Sequence, residues 1–165
     1  NIIGKPGSGF TFVAGTALDH GRYSIAWAGV AIAQEALDCM ARYARKRIQF
    51  GRKIGEYQLV QRMICNAVTN THAARALCIK AGEMRAHGDS QAVAETTIAK
   101  YFTSKTANTI ASDAVQVHGG NGCSNSYPVE RLFREAKLLE IIEGTSQIHQ
   151  QIIARYGLRK YGRNQ

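Results

Sequence analysis

Residues 17–47 read ALDHGRYSIAWAGVAIAQEALDCMARYARKR, and within them Ala26, Val30, Ala33, Leu37, Met40 and Ala44 recur in alternating steps of four and three. That spacing is the period of an α-helix with one buried face; a strand would alternate every second residue. The basic residues near its end suit the negative pole of the helix dipole, and the helix is expected to finish by Phe50-Gly51.

The same stepping continues along the chain. Val60, Ile64, Ala67, Thr71, Ala74, Cys78 and Ala81 predict a second long helix from about Glu56 to His87, stopped by Gly88. Ala99, Thr103, Ala107, Ile110, Ala114 and Val117 predict a third from about Ser90 to His118, ended by Gly119-Gly120. Pro128 marks the start of a short helix over Val129 to about Lys137, and a last helix, with Ile148, Ile152 and Arg155 on neighbouring turns, runs from Thr145 to about Tyr156. Long helices with short connections predict an all-α fold: an antiparallel four-helix bundle over residues 16–165, with the short helix as an elaboration. Residues 1–15, holding Gly4, Gly7, Gly9, Gly15 and Pro6, read as a loop or short extended lead-in.

The totals agree with one folded domain. The chain has 165 residues, 45% of them apolar, and only two prolines, Pro6 and Pro128. Cys39, Cys65, Cys78 and Cys123 form no C-x-x-C pair and read as small buried residues of a reducing compartment. His20, His72, His87, His118 and His149 show no metal-ligand spacing, so no metal is expected. No apolar run reaches membrane-spanning length and the N-terminus has no signal-peptide pattern, so no membrane is expected. A formal charge of +9 points to partners bearing phosphates, either nucleic acid or nucleotide cofactors.

Three stretches carry chemistry. Glu143 lies among Leu138, Leu139, Ile141 and Ile142 and is followed by Gly144 near a helix start. Burial moves a carboxyl group toward the range a general base needs, and a glycine admits close approach to the backbone. Read without context, a Glu there is an ordinary first-turn charge. Arg47-Ile48-Gln49-Phe50-Gly51 sits in a basic stretch that reads by default as a solvated face, and Gln116-Val117-His118-Gly119-Gly120-Asn121-Gly122 reads as a helix stop or as a backbone cradle for an anion.

Taken in their order along the chain, the three stretches resemble the signatures of the acyl-CoA dehydrogenase family, and the likeness covers nearly the whole chain. The resemblance implies FAD-dependent α,β-dehydrogenation of an acyl thioester, carried by coenzyme A or by a carrier protein, with Glu143 of the E-G-T-x-Q run as catalytic base. It implies that Arg47, Gln49, Phe50, Gln116, Gly119 and Gly120 contact the FAD of a neighbouring subunit in a dimer or tetramer. Thr145 and Gln147 would contact flavin polar atoms beside the base, and Asp19, Arg22, Gly144 and Arg155 would lie on the substrate side. Glu140, three residues before Glu143, is the competing carboxylate, and the E-G-T context favours Glu143.

The family's N-terminal helical and middle β-domains are not in this sequence. The expectation is therefore the C-terminal domain of a longer enzyme, or one subunit of a split one, inactive alone. It would pass electrons to an acceptor such as an electron-transfer flavoprotein or oxygen, in the cytoplasm or, in a eukaryote, the mitochondrial matrix. Two non-enzymatic readings remain open: a non-catalytic oligomerisation bundle, or a basic nucleic-acid-binding bundle whose affinity falls steeply with salt.

Overall fold

A computed structural model describes residues 4–162. The chain forms α1 (Gly15–Lys46), a hairpin of β1 (Ile48–Gln49) and β2 (Arg52–Lys53), then α2 (Gln58–Ala86), α3 (Ala92–His118), α4 (Val129–Leu139) and α5 (Ser146–Tyr161). The all-α expectation holds, and the helix boundaries fall within a few residues of those read from the periodicity. The first three residues of the expected lead-in and the last three of the bundle lie outside the described residues.

Helix α3 is the spine, packing against each of the other four helices. The α1–α3 contact is tight because small residues face each other. A Cβ at Gly29 would stand 2.9 Å from the Thr103 side chain, so only glycine lets the helices cross this closely. The main core joins Ala33, Ala36, Met40 and Ala44 of α1, Ala67 of α2, and Ala107, Ile110, Ala111 and Ala114 of α3. Met40 is fully enclosed, and burying such a side chain contributes roughly 2 kcal/mol.

The short helix is more than decoration. Val129, Leu132 and Ala136 of α4 close the same core, and Leu139 is buried beyond them. Its opposite face carries the i,i+4 pairs Arg134–Glu130 and Arg131–Glu135. By contrast, α5 fully buries only Ser146 and His149.

Several expectations need correction. The glycine-rich start is not wholly a loop: Gly9–Ala14 forms a π-helical turn that runs straight into α1, while Gly4 and Gly7, at φ 83° and 85°, make the turn before it. Cys39 and Cys78 are buried as expected, but Cys65 and Cys123 are exposed, because they fall off the inward stripes. On α5 the inward side holds His149, while Ile148 faces outward. Among the described residues, no helix is long and apolar enough to cross a membrane.

Candidate functional site

Glu143 sits in the turn between α4 and α5. The amides of Ile141 and Ile142 both donate to the Leu138 carbonyl, and the Ser146 amide closes the turn on the Glu140 carbonyl at 3.0 Å. Glu143 and Gly144 follow each other in left-handed backbone, at φ 54° and 96°. Glycine adopts that region freely, whereas a glutamate there costs on the order of 1 kcal/mol and persists only where the surroundings impose it.

Those surroundings are specific. Arg22 Nε of α1 donates to the Glu143 carbonyl at 3.3 Å, and Lys100 Nζ of α3 donates to the Gly144 carbonyl at 2.7 Å. His149 of α5 lies beneath the turn, so that a Cβ on Gly144 would stand 3.0 Å from its Nε2. The turn directs the Glu143 carboxylate onto the backbone of Gly21 in α1, where a Cβ would stand 2.9 Å from Oε1 and closer still to Oε2 and Cδ. Oε2 is buried and has no hydrogen-bond partner.

The enclosure of the carboxylate has a different source from the one its sequence neighbours suggest. Leu138 and Ile141 are exposed, and only Leu139 of that group is buried. Gly21, Arg22 and Lys100, distant in sequence, supply the walls together with His149 of α5.

Lys100 and His149, two of the residues around the turn, are themselves perturbed. Burial, with the charge of Arg22 nearby, pulls Lys100 down to about 8, against the opposing pull of Glu140 and Glu143. Burial, aided by the charges of Lys100 and Arg22, brings His149 down to about 4, so its ring is neutral at pH 7.

The competing carboxylate has other work. Glu140 accepts from Asn108 Nδ2 at 2.8 Å and from Lys137 Nζ at 3.0 Å. Burial alone would raise its pKa, but the hydrogen bonds from Lys137 and Asn108 prevail and lower it. Glu140 is an anchor for the turn; Glu143 is the carboxylate left without a partner.

The other candidates divide between two places. Thr145 caps α5, its Oγ1 accepting from the Ile148 amide at 3.4 Å, and Gln147 is exposed on the first turn of that helix. Asp19 lies one turn before Arg22 but is paired at 2.6 Å with Arg85, which also donates to Thr96 Oγ1 and lies over the Tyr23 ring. Arg155 is exposed beside Ile152, Leu158 and Arg159, roughly 15 Å along α5 from the Glu143 turn.

At the far end of the bundle, Arg47, Gln49, Gln116, Gly119 and Gly120 line one cleft of about 430 Å³. Gln49, Phe50 and Gln116 line an adjoining one of about 700 Å³. Phe50 and Gly51 form the two-residue loop of the hairpin, both at positive φ, and Phe50 is 94% exposed. A large aromatic ring is thus presented to solvent from a backbone region that non-glycine residues rarely adopt. Nothing stands within 4 Å of a Cβ at Gly119 or Gly120, so that backbone is open to an approaching group, and among the described residues Arg47 pairs with no carboxylate.

Gly21 and Arg47 stand near opposite ends of α1, roughly 40 Å apart at 1.5 Å per residue. The structure therefore brings Glu143, Gly144 and Arg22 together, and separately Arg47, Gln49, Phe50, Gln116, Gly119 and Gly120. It does not bring the two groups together within one chain.

Gly21, Lys100 and His149 are missed by reading motifs. A glycine inside a strongly helical run, and a lysine on the same face as Thr103 and Ala107, were the available signals for the first two.

This is a helical domain with a partnerless carboxylate at one end and an open cationic, glycine-lined cleft at the other. Residues 7–158 match the family model described as acyl-CoA dehydrogenase, C-terminal domain, and the chain belongs to the acyl-CoA dehydrogenase family. It is 41% identical over 159 residues to the probable acyl-CoA dehydrogenase YngJ of Bacillus subtilis, covering 96% of this chain and 41% of that protein. It is 37% identical over 160 residues to the caffeyl-CoA reductase-Etf complex subunit CarC of Acetobacterium woodii, covering 97% of this chain and 42% of that one. Among solved structures, butyryl-CoA dehydrogenase from Megasphaera elsdenii superposes with a TM-score of 0.91 at 33% identity, over 96% of this chain and 41% of that chain. The chain thus spans about two fifths of the length of these relatives.

Proposed function

We propose that this chain supplies the catalytic base and the cross-subunit cofactor contacts of an FAD-dependent enzyme that desaturates an acyl thioester between its α and β carbons. The observation that carries the proposal is the Glu143 carboxylate, turned inward by two left-handed residues onto Gly21 with Oε2 buried and unpartnered. A carboxylate so held is poised to take a proton, and no competing hydrogen bond needs to break first.

In this reading Glu143 removes the α-proton of the bound thioester. The Glu143 backbone N–H has no backbone partner among the described residues, which supports a role in donating to the thioester carbonyl as enolate charge develops there. Arg22 and Lys100 fix the turn from its carbonyl side, leaving that amide free. A flavin, when bound, would supply the redox chemistry as acceptor of the β-hydrogen and its electron pair. Thr145 and Gln147, flanking the base, are the polar groups available to the flavin from the same copy.

The residues at the far end suit FAD. Arg47 offers unneutralised charge to a pyrophosphate, Gly119 and Gly120 offer open backbone, and Phe50 offers an apolar face. Their distance from Glu143 supports contact with the cofactor of a second copy, hence a dimer or tetramer. Relatives named for acyl-CoA substrates favour coenzyme A as the thioester carrier, and the Etf complex of the Acetobacterium relative favours an electron-transfer flavoprotein as acceptor.

The test is Glu143→Gln in the full-length, flavin-loaded protein. Deuterium exchange at the α carbon of an acyl-CoA is expected to vanish, with flavin absorbance and folding retained. Exchange at the wild-type rate would remove Glu143 from the role.

A further inference from the structure

Lys100 is 0% exposed, and lysine is almost never fully buried without a task. Thr96, Lys100, Thr103 and Ala107 share one face of α3 and are all buried, so the ammonium is delivered into the interior by the helix that organises the fold. Its hydrogen-bond acceptor is the carbonyl of Gly144, at 2.7 Å. The charged and titratable groups around it are Arg22 of α1, Glu140 and Glu143 of the α4–α5 turn, and His149 of α5.

We propose that Lys100 is a positioning residue for the base, its ammonium pinning the Gly144 carbonyl so that the Glu143–Gly144 turn stays in the left-handed geometry that lays the carboxylate on Gly21. The claim rests on the reading of Glu143 as the base. Glu143 is a non-glycine residue in left-handed backbone outside any hairpin, and the restraints on it are the side-chain bonds to its own carbonyl and to that of Gly144. Arg22 holds the first carbonyl at a long 3.3 Å, so the short, charge-assisted bond from Lys100 to the second is the stronger of the two restraints. Nζ bonds backbone, so its influence on the reaction passes through the turn.

A pH signature follows. Lys100 loses its proton as pH rises through about 8, so the charge-assisted bond is present below that pH and weakened above it. Proton exchange should then fall along a basic limb that belongs to Lys100.

The experiment uses the full-length, flavin-loaded enzyme with butyryl-CoA as probe, comparing wild type, Lys100→Met and Lys100→Arg. Methionine matches the lysine stem without its charge; arginine keeps the charge at all accessible pH. Lys100→Met is expected to lower kcat for α-proton exchange by about tenfold to a hundredfold with KM changed less than about threefold, the pattern of a misplaced group in a bound complex. The basic limb should be absent in Lys100→Met, and in Lys100→Arg the rate should hold above pH 8.

Amide hydrogen exchange across residues 140–146, read without substrate, should show lost protection in Lys100→Met. In wild type, protection corrected for intrinsic exchange should decline as pH passes about 8, a readout that needs no variant to fold. A kcat within about threefold of wild type, a retained basic limb and unchanged protection of the turn would overturn the proposal. If Glu143→Gln keeps full activity, the functional reading fails by itself, and amide exchange alone then decides whether Lys100 holds the turn.

Discussion

Gly21→Ala separates stability from catalysis at one atom. Gly21 lies inside α1 with ordinary helical backbone, so alanine fits the main chain and should stabilise the helix by about 1 kcal/mol. The added methyl, however, enters space held by the Glu143 carboxylate, 2.9 Å from Oε1 and nearer to Oε2, where ordinary contact begins at 3.4 Å. The carboxylate ends a flexible side chain whose backbone is held by Arg22 and Lys100, so the head group retreats by roughly 1 Å while the turn stays. Misplacement of a reacting group on that scale lowers rates by about a hundredfold, or about 2.7 kcal/mol in the barrier. The assay is α-proton exchange beside thermal unfolding of the full-length protein. The expected result is a melting temperature at or above wild type with exchange down about a hundredfold. A double-mutant cycle with Glu143→Asp sharpens it, because the shorter side chain leaves room for the methyl and the two losses should be less than additive. Exchange within about threefold of wild type in Gly21→Ala would refute the claim that this glycine seats the carboxylate.

Two further outcomes follow from the same geometry. His149 is fully buried and brought down to about 4 from the ordinary 6.5, so between those pH values the unfolded chain binds the proton that the folded chain excludes. Its contribution is intact above pH 6.5 and is lost as pH falls toward 4, on the order of 2 kcal/mol by pH 5. Denaturant unfolding of wild type and His149→Leu at pH 7 and pH 5 measures it; equal acid sensitivity in the two proteins would exclude this histidine as the cause. At the other end, Phe50→Gly relieves a left-handed aromatic at an exposed tip and should stabilise the hairpin by about 1 kcal/mol, yet weaken FAD retention, read by flavin released on dilution. Unchanged retention would show that the exposed ring contacts no cofactor.

The helices were legible because their stripes are built from alanine and other small residues at strict steps of four and three, and small residues have few other uses at that spacing. The hairpin was not, because its loop lacks the Asn-Gly or Asp-Gly signal; a phenylalanine at φ 51° is the last residue a turn rule would choose. The inward face of α5 was not legible either. His149 goes inward and Ile148 outward because the turn beneath which His149 packs is polar, a condition set by α1 and α3. Glu143 is marked by its immediate neighbours, but those neighbours are largely exposed, and what holds its turn comes from Arg22, 121 residues from Glu143, and from Lys100, 44 residues from Gly144. Sequence proximity located the group and could not describe its environment.

The length of α1 then constrains the assembly. Its start seats the carboxylate through Gly21, and its end delivers Arg47 and the hairpin, roughly 40 Å away along a straight helix with no break between Gly15 and Lys46. A single dinucleotide reaching from a flavin beside Glu143 cannot meet the Arg47 cleft of the same chain. Either the two clusters serve different ligands, or each cofactor lies between the base end of one copy and the cleft end of another. The open backbone at Gly119 and Gly120, the unneutralised Arg47 and the exposed Phe50 favour the second arrangement proposed above. It requires that dissociating the copies release flavin from an enzyme whose Glu143 turn is intact. Dilution through the dissociation range should therefore lower flavin occupancy and leave amide protection across residues 140–146 unchanged. Flavin held equally well by the separated copies would refute the shared arrangement and leave the two clusters to serve different ligands.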